Sequence, residues 1–318
     1  MKSVVLLVLL GLGAVMAFDE SKPLITREHL EKLRSSAKFE VLDYESHPFK
    51  DWSVTDFRKK LGLMRTEERP RREVLYGDVE GLPDTFDART QWASCIHPIR
   101  DQQQCGSCWA FAASEVLSDR FCIASNGSAN VVLSPQDLVS CDTNDYGCEG
   151  GYIDKSWDYI RDTGIVSDAC LPYTSGSGRV AACPFRGGKQ TCKSGTFRKY
   201  RVSSHSNHST IADAKRSLST EGPLEAGFDV YDDFMSYAGG VYSRNSDILL
   251  GGHAVKVVGW GKSNDGTEYW IVANSWNTSW GERGFFRIAF GECNFESELW
   301  SGVPALNATH EHEQYFLH

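Results

Sequence analysis

All ten cysteines of this 318-residue chain lie between Cys95 and Cys293, far behind an N-terminal stretch that is almost wholly apolar from Val4 to Gly13. A run of that length is too short to span a bilayer, and Val15-Met16-Ala17 supplies small side chains where a signal peptidase cuts, so residues 1–17 read as a secretory signal peptide. The secretory route is oxidising, so most of the ten thiols are expected in disulfides. A cysteine that stays free in that setting needs a reason. The net charge of −9 argues against nucleic acid or anionic lipid as the main partner. No later segment is apolar enough to cross a membrane, so no membrane span is expected.

Residues 18–81 differ in character from the rest of the chain: they hold no cysteine and many charges. Leu30, Leu33 and Ala37 share a face within a helical pattern from Thr26 to Phe39, and a second amphipathic piece runs from Trp52 to Leu63. The basic cluster Arg69-Pro70-Arg71-Arg72 suits proteolysis. Residues 18–81 therefore read as a propeptide, whose removal exposes a new end near Leu82-Pro83-Asp84, with the folded domain in 82–318. Helices are expected from Cys108 to about Phe121 with Ser107 as N-cap, from Ser134-Pro135 through Val139, and from Asp154 to Arg161. The stretch from Thr174 to Gly195 reads as loop. Strand-like runs come after it at His253–Trp260, Glu268–Asn274 and Gly284–Phe290. The fold class is α+β, helical in front and antiparallel sheet behind. The tail 306–318, with His310 and His312, reads as a mobile end. Sequons stand at Asn126, Asn207, Asn277 and Asn307, with Asn277 expected to be buried between tryptophans.

The chemistry centres on Gln102-Gln103-Gln104-Cys105-Gly106-Ser107-Cys108-Trp109. Cys108 falls in the first turn of a helix, where the helix dipole favours a thiolate, and a protonated histidine would favour it further. A hairpin with its turn near Asn264-Asp265-Gly266 is expected to set Trp260 opposite Thr267 and His253 opposite Asn274. A thiol, an imidazole and an amide oxygen in that order form a nucleophile, base and orienter. The N–H of Cys108 and the side chain of Gln102 are candidate donors to an oxyanion.

These residues resemble the papain family of cysteine proteases. Cys105-Gly-Ser-Cys108-Trp109, a histidine 145 residues downstream and Asn274-Ser-Trp276 match its signature. Within it, Leu82-Pro-Asp-Thr-Phe-Asp-Ala-Arg89, Ser118-Asp-Arg-Phe-Cys122, Cys148-Glu-Gly-Gly-Tyr152 and Gly251-Gly-His-Ala254 are similar to cathepsin B segments. The resemblance implies two lobes, a helical left and a barrel-like right, with a cleft between them. It implies a precursor whose propeptide inhibits it, protein and peptide substrates, a monomer, no cofactor and no metal, and a lysosome-like or extracellular destination. It assigns Cys108, His253, Asn274 and Gln102 to the chemistry. Gly150 and Gly151 are implied to pair with substrate backbone. Tyr152, Ala254 and Glu298 surround the pocket for the residue two before the scissile bond, and Trp276 shields the His–Asn pair. A carboxylate at Glu298 accepts Arg as well as apolar groups.

One departure stands out. Cathepsin B carries an occluding loop with paired histidines that bind a substrate's C-terminal carboxylate. The corresponding region, Cys170 to Cys192, has no histidine, and His205 and His208 read as surface residues outside it. An open cleft and endopeptidase action are therefore expected. Setting Cys108 aside leaves an odd number of cysteines, and the resemblance points to Cys293 as the second free one. It pairs Cys95 with Cys122 and Cys105 with Cys148. Cys141, Cys170, Cys183 and Cys192 pair among themselves, with Cys141–Cys183 and Cys170–Cys192 preferred. A C-x-x-C oxidoreductase would need a βαβ context that is missing and would leave His253 and Asn274 without a role. A zinc site would need histidines at ligand spacing. A disulfide-rich binding homologue without catalysis would be favoured only had Cys108, His253 or Gln102 been replaced.

Overall fold

The computed structural model describes residues 20–65 and 74–306. Residues 1–19, on which the signal-peptide expectation falls, the basic cluster at Arg69–Arg72 and nearly all of the tail, including Asn307, lie outside the described residues. In chain order the helices are α1 Arg27–Ser36, α2 Val54–Arg58, α3 Ala88–Gln91, α4 Cys108–Ala124, α5 Pro135–Cys141, α6 Ile153–Asp162 and α7 Ile211–Glu221. The strands are β1 Glu40–Val41, β2 Phe86–Asp87, β3 Val202–Asn207, β4 Leu224–Tyr231, β5 Tyr237–Gly239, β6 Val241–Tyr242, β7 Leu249–Lys262, β8 Glu268–Ala273, β9 Phe285–Ala289 and β10 Glu298–Pro304.

Two cores define two lobes. The left one gathers Val116, Leu117 and Phe121 of α4, Leu138 of α5, and Ile153, Trp157 and Ile160 of α6. The right one surrounds a sheet ordered β3-β10-β4-β7-β8-β9-β6, with β2 on β7. Its ladders are antiparallel except for β6 on β9. The fold is therefore α+β with two lobes, as expected. Helix α4 runs between the lobes and is buried along its whole length from Cys108 to Cys122, so it needs no polar face. Its charges are partnered. Asp119 meets Lys256 of β7 at 2.7 Å, and Arg120 donates to Ser217 Oγ and to the Pro223 and Gly222 carbonyls.

The N-terminal segment is built into the right lobe. Leu30, Leu33, Phe49, Val54 and Phe57 are buried in the same core as Phe234, Trp276 and Trp280. Each such side chain contributes about 1.5–3 kcal/mol by leaving water. Thr26 caps α1 through its hydroxyl, which accepts from His29 N at 3.0 Å. The amphipathic pattern from Trp52 to Leu63 forms a helix only over Val54–Arg58. Beyond it the chain extends across the cleft, because its backbone pairs with both lobes there. Among the described residues no helix is long and apolar enough to cross a membrane.

The sheet corrects the expected hairpin register. Lys262 pairs with Glu268, Trp260 with Trp270 and Lys256 with Ala273. Trp260 is thus opposite Trp270 rather than Thr267, and His253 lies opposite Phe228 of β4. The connection spans 263–267, held by Ser263 N donating to Thr267 O, and a bulge near Val258 shifts the ladder again. Helix α7 has no counterpart in the sequence reading, although Thr210 as N-cap and Ile211, Ala214 and Leu218 on one buried face signal it. Asn277 is exposed rather than buried, as is Asn126, whereas Asn207 is half-buried with its Oδ1 accepting from Leu299 N. His205 and His208 are half-buried, engaging Asp158 and Ser301.

Candidate active site

Cys108 opens α4, and its sulfur is buried and free, as is that of Cys293. Disulfides join Cys95–Cys122, Cys105–Cys148, Cys141–Cys183 and Cys170–Cys192. The second of these ties the turn leading into Cys108 to the Gly150-Gly151 loop. Ser107 occupies the N-cap position without capping. Its hydroxyl instead meets the Tyr173 hydroxyl at 3.0 Å, which leaves first-turn N–H groups unclaimed by a cap. That of Trp109 points at the Cys108 sulfur, as does the N–H of Ala254, the residue after His253.

His253 and Asn274 meet despite the altered register: Nε2 lies 2.8 Å from Asn274 Oδ1. Since an amide oxygen only accepts, Nε2 carries the proton and Nδ1 keeps its lone pair. That Nδ1 is buried and has no hydrogen-bond partner among the described residues. Asn274 Oδ1 also accepts from Ser275 N at 2.8 Å, fixing the amide. The Trp276 ring covers the imidazole, with centroids 4.6 Å apart.

The N-terminal segment closes this site. Gln102 Nε2 donates to Lys60 O at 2.9 Å and to Cys105 O at 2.8 Å, while its Oε1 accepts from Ser275 Oγ at 2.8 Å. The N–H of Gly62 is directed at the Cys108 sulfur. Leu63 N donates to Gly252 O, Gly151 N to Gly62 O and Met64 N to Gly151 O, at 3.1, 2.9 and 2.9 Å. Gly150, at φ +124°, and Gly151 form the left wall. A Cβ added at Gly150 falls 2.8 Å from Gly62 O and 2.9 Å from Met64 Cγ, so glycine there lets the extended chain come this close, while one at Gly151 falls 2.5 Å from the Trp109 ring. Tyr152 caps α6 and its N–H donates to Asp145 Oδ1 at 2.8 Å. Ala254 is buried beside Leu63. Phe49 and Phe57 meet Trp276 edge-on, at 5.8 and 5.2 Å.

Burial sets the protonation of this covered form. It pushes the Cys108 thiol up to about 11, against the pull of the nearby N–H groups. It holds His253 down at about 3, helped by the positive charge of Lys60. The thiolate expected from the helix dipole is therefore not the favoured state here, because desolvation outweighs the dipole. Glu298 is also buried, and Arg65 reaches it, Nε to Oε2, at 3.1 Å.

The sequence reading missed several buried acids. Glu225 is fully buried, accepts from Trp157 Nε1 at 2.8 Å and has its pKa raised well above normal by desolvation. Burial also lifts Asp145 to about 7. Asp229 joins the contacts around Arg65. Alternation along β4 marks where Glu225 and Asp229 sit, but not that Trp157 of the left lobe covers the first and Arg65 reaches the second.

The papain family cysteine protease model matches residues 82–303. The cathepsin B-like cysteine proteinase 4 of Caenorhabditis elegans is 42% identical, over 80% of this chain and 86% of its own. Among solved structures, the procathepsin B S9 of Trypanosoma congolense has a TM-score of 0.75 at 32% identity, covering 89% of this chain and 99% of its own. A digestive procathepsin L2 proteinase from Tenebrio molitor larval midgut has a TM-score of 0.69 at 28% identity, over 88% of each chain. The chain belongs to the papain family of cysteine proteases and is cathepsin B-like.

Proposed function

We propose that this chain is the precursor of a cysteine endopeptidase. Residues 1–17 act as a signal peptide, 18–81 as an inhibitory propeptide and 82–318 as the peptidase domain. It acts alone on proteins and peptides, in a lysosome-like compartment or outside the cell. Once the propeptide leaves, water returns to the cleft and the desolvation that keeps Cys108 and His253 neutral is relieved. The thiol proton passes to His253 Nδ1, and Sγ bonds to the carbonyl carbon of the scissile peptide. The oxygen takes up the negative charge against Gln102 Nε2 and the Cys108 N–H. His253 returns the proton to the leaving amine as the C–N bond breaks. Water, deprotonated by His253, then adds to the thioacyl carbon; the C–S bond breaks, the acid product leaves, and the Cys108 sulfur recovers the proton from His253. Asn274 keeps Nε2–H engaged, so Nδ1 stays aimed inward.

The observation that carries this reading is the carbonyl of Lys60 on Gln102 Nε2 beside a buried thiol. A backbone carbonyl already rests where an oxyanion would be received. Gly150 and Gly151 would pair with the substrate backbone, and the pocket around Tyr152, Ala254 and Glu298 would admit apolar groups or Arg.

The endopeptidase assignment rests on the region Cys170–Cys192. It holds no histidine, and Cys183 is tied to Cys141 of α5. A Cβ added at Gly147 would fall 2.7 Å from Val180 Cγ2, so this loop packs on the left lobe beside α5. A pair of peptides identical but for a free or amidated C-terminus tests it. Comparable cleavage of both is the expected result, and strong preference for the free carboxylate would overturn the assignment.

A further inference from the structure

We propose that Asp229 is a second specificity-determining carboxylate of the cleft, which together with Glu298 forms a two-sided seat for a substrate guanidinium. The proposal rests on the protease reading above and concerns which side chain its pocket prefers. It starts from an occupant. Arg65 of the N-terminal segment places Nη1 2.6 Å from Asp229 Oδ1 and Nε 3.1 Å from Glu298 Oε2. All three side chains are largely withdrawn from solvent, at 23% exposure for Arg65, 16% for Asp229 and 7% for Glu298. The guanidinium is therefore clasped from two sides in a sheltered place, where a charge-assisted contact counts for more than at a surface.

The backbone explains why the two carboxylates converge. Glu298 of β10 pairs with Gly227 of β4, and Asp229 lies two residues further along β4, hence on the same face. Gly227 leaves the space between them: a Cβ there would fall 2.6 Å from Leu63 Cδ2 and 2.8 Å from Glu298 Oε2. Leu63 sits in that space and Arg65, two residues on, reaches past it. Ile153 Cδ1, 3.1 Å from the same added Cβ, gives the seat an apolar wall that remains when Leu63 leaves, and the far end is anionic.

Asp229 is also held from behind. Asn294 Nδ2 donates to Asp229 Oδ2, leaving Oδ1 for the cation. Asn294 and its neighbour Cys293 both adopt left-handed backbone, at φ 56° and 55°. That conformation is costly for residues other than glycine, and here it delivers the Asn294 amide to Asp229. When the propeptide departs, Arg65 goes with it. A substrate arginine entering the same pocket puts a guanidinium back between the two carboxylates. A single acid tolerates Arg beside apolar groups, whereas two acids bias the pocket toward Arg.

The test uses enzyme processed from the full-length precursor and two peptides that differ only by Arg or Leu at the residue two before the scissile bond. Asp229→Asn is expected to lower the Arg-to-Leu ratio of kcat/KM by about tenfold, mainly by raising KM for the Arg peptide. Asp229→Glu is expected to recover part of the preference. Binding is measured in parallel with processed Cys108→Ala protein and a peptide covering residues 60–65, with Arg or Leu at position 65. Asp229→Asn should erase most of the preference for Arg there. An unchanged Arg preference in either assay, or equal losses for both peptides, would overturn the proposal. Because the binding arm needs no hydrolysis, failure of the protease reading is seen separately, as a wild-type enzyme that cuts neither substrate.

Discussion

Gln102 and Lys60 are joined by a 2.9 Å hydrogen bond from the side-chain amide of one to the backbone carbonyl of the other. The N-terminal segment thereby fills the donor that the proposed chemistry needs. Gln102→Ala is accordingly expected to act twice. It should lower kcat of the processed enzyme by about 10²–10³, the usual cost of losing one oxyanion donor. It should also weaken binding of the isolated pro-segment. Steady-state kinetics and pro-segment titration read the two effects.

Gly62 controls how closely the segment approaches the thiol. A Cβ added there falls 1.8 Å from Gly106 O, a backbone atom that cannot swing away. Gly62→Val should therefore lift the segment from the cleft at a cost of about 1–3 kcal/mol. The expected outcome is a precursor with measurable hydrolysis before cleavage and correspondingly weaker inhibition by the variant pro-segment.

Acid should release the segment, because buried histidines at its contacts take up protons when it detaches. Burial holds His47 at about 4, against an ordinary 6.5. Its Nδ1 accepts from Phe49 N at 3.1 Å and its Nε2 lies 3.2 Å from Ser236 Oγ, an arrangement that requires the neutral ring. Burial also lowers His29, with Asp232 opposing and Lys32 assisting. His253 is lowered as well in the covered cleft. Between the docked and detached values the detached form binds more protons. Docking is therefore complete above about pH 6.5 and is lost as pH falls toward 4, a change of up to about 3 kcal/mol for His47 alone. Activation rates measured across pH 4–7.5 should rise as pH falls, and His47→Gln should flatten the profile.

Lys256 and Asp119 tie the lobes together at 2.7 Å, with Glu115 Oε2 3.7 Å from the same ammonium. All three are buried. Desolvation opposes the Lys256 charge, but the two carboxylates raise its pKa overall. Asp119→Ala strands that charge and is expected to destabilise the protein by about 3–5 kcal/mol, read by denaturant unfolding. A simultaneous change of Lys256, Asp119 and Glu115 to apolar residues should cost less.

Local sequence announced the elements that carry the site. Cys108 and Trp109 sit in a periodic helix, His253 lies in a strand-like run and Asn274 directly follows one, so their place in or beside helix and strands could be read directly. Register could not, because a five-residue connection and a bulge at Val258 are set by packing of β7 between β4 and β8. The hydroxyl of Ser107 looked like a cap, yet Tyr173, 66 residues away, claims it. Asn277 looked enclosed by tryptophans because Trp276 and Trp280 are near in sequence, but both rings turn inward while the turn between them faces solvent. Glu225 and Lys256 were invisible as buried charges, since only the joining of distant strands and the second lobe removes them from water.

The central claim is that Cys108 is a quiescent thiol in the precursor and becomes the nucleophile once the segment over it is gone. Alkylation of Cys108 at pH 7, followed by mass spectrometry before and after processing, tests this most directly. The account predicts that labelling of Cys108 speeds up by about a hundredfold or more on processing, as thiolate becomes accessible. Cys293, buried and with its pKa raised by desolvation, should stay unlabelled in both forms. Equal labelling of Cys108 in the precursor and the processed enzyme, or undiminished hydrolysis by a Cys108→Ala variant, would contradict it.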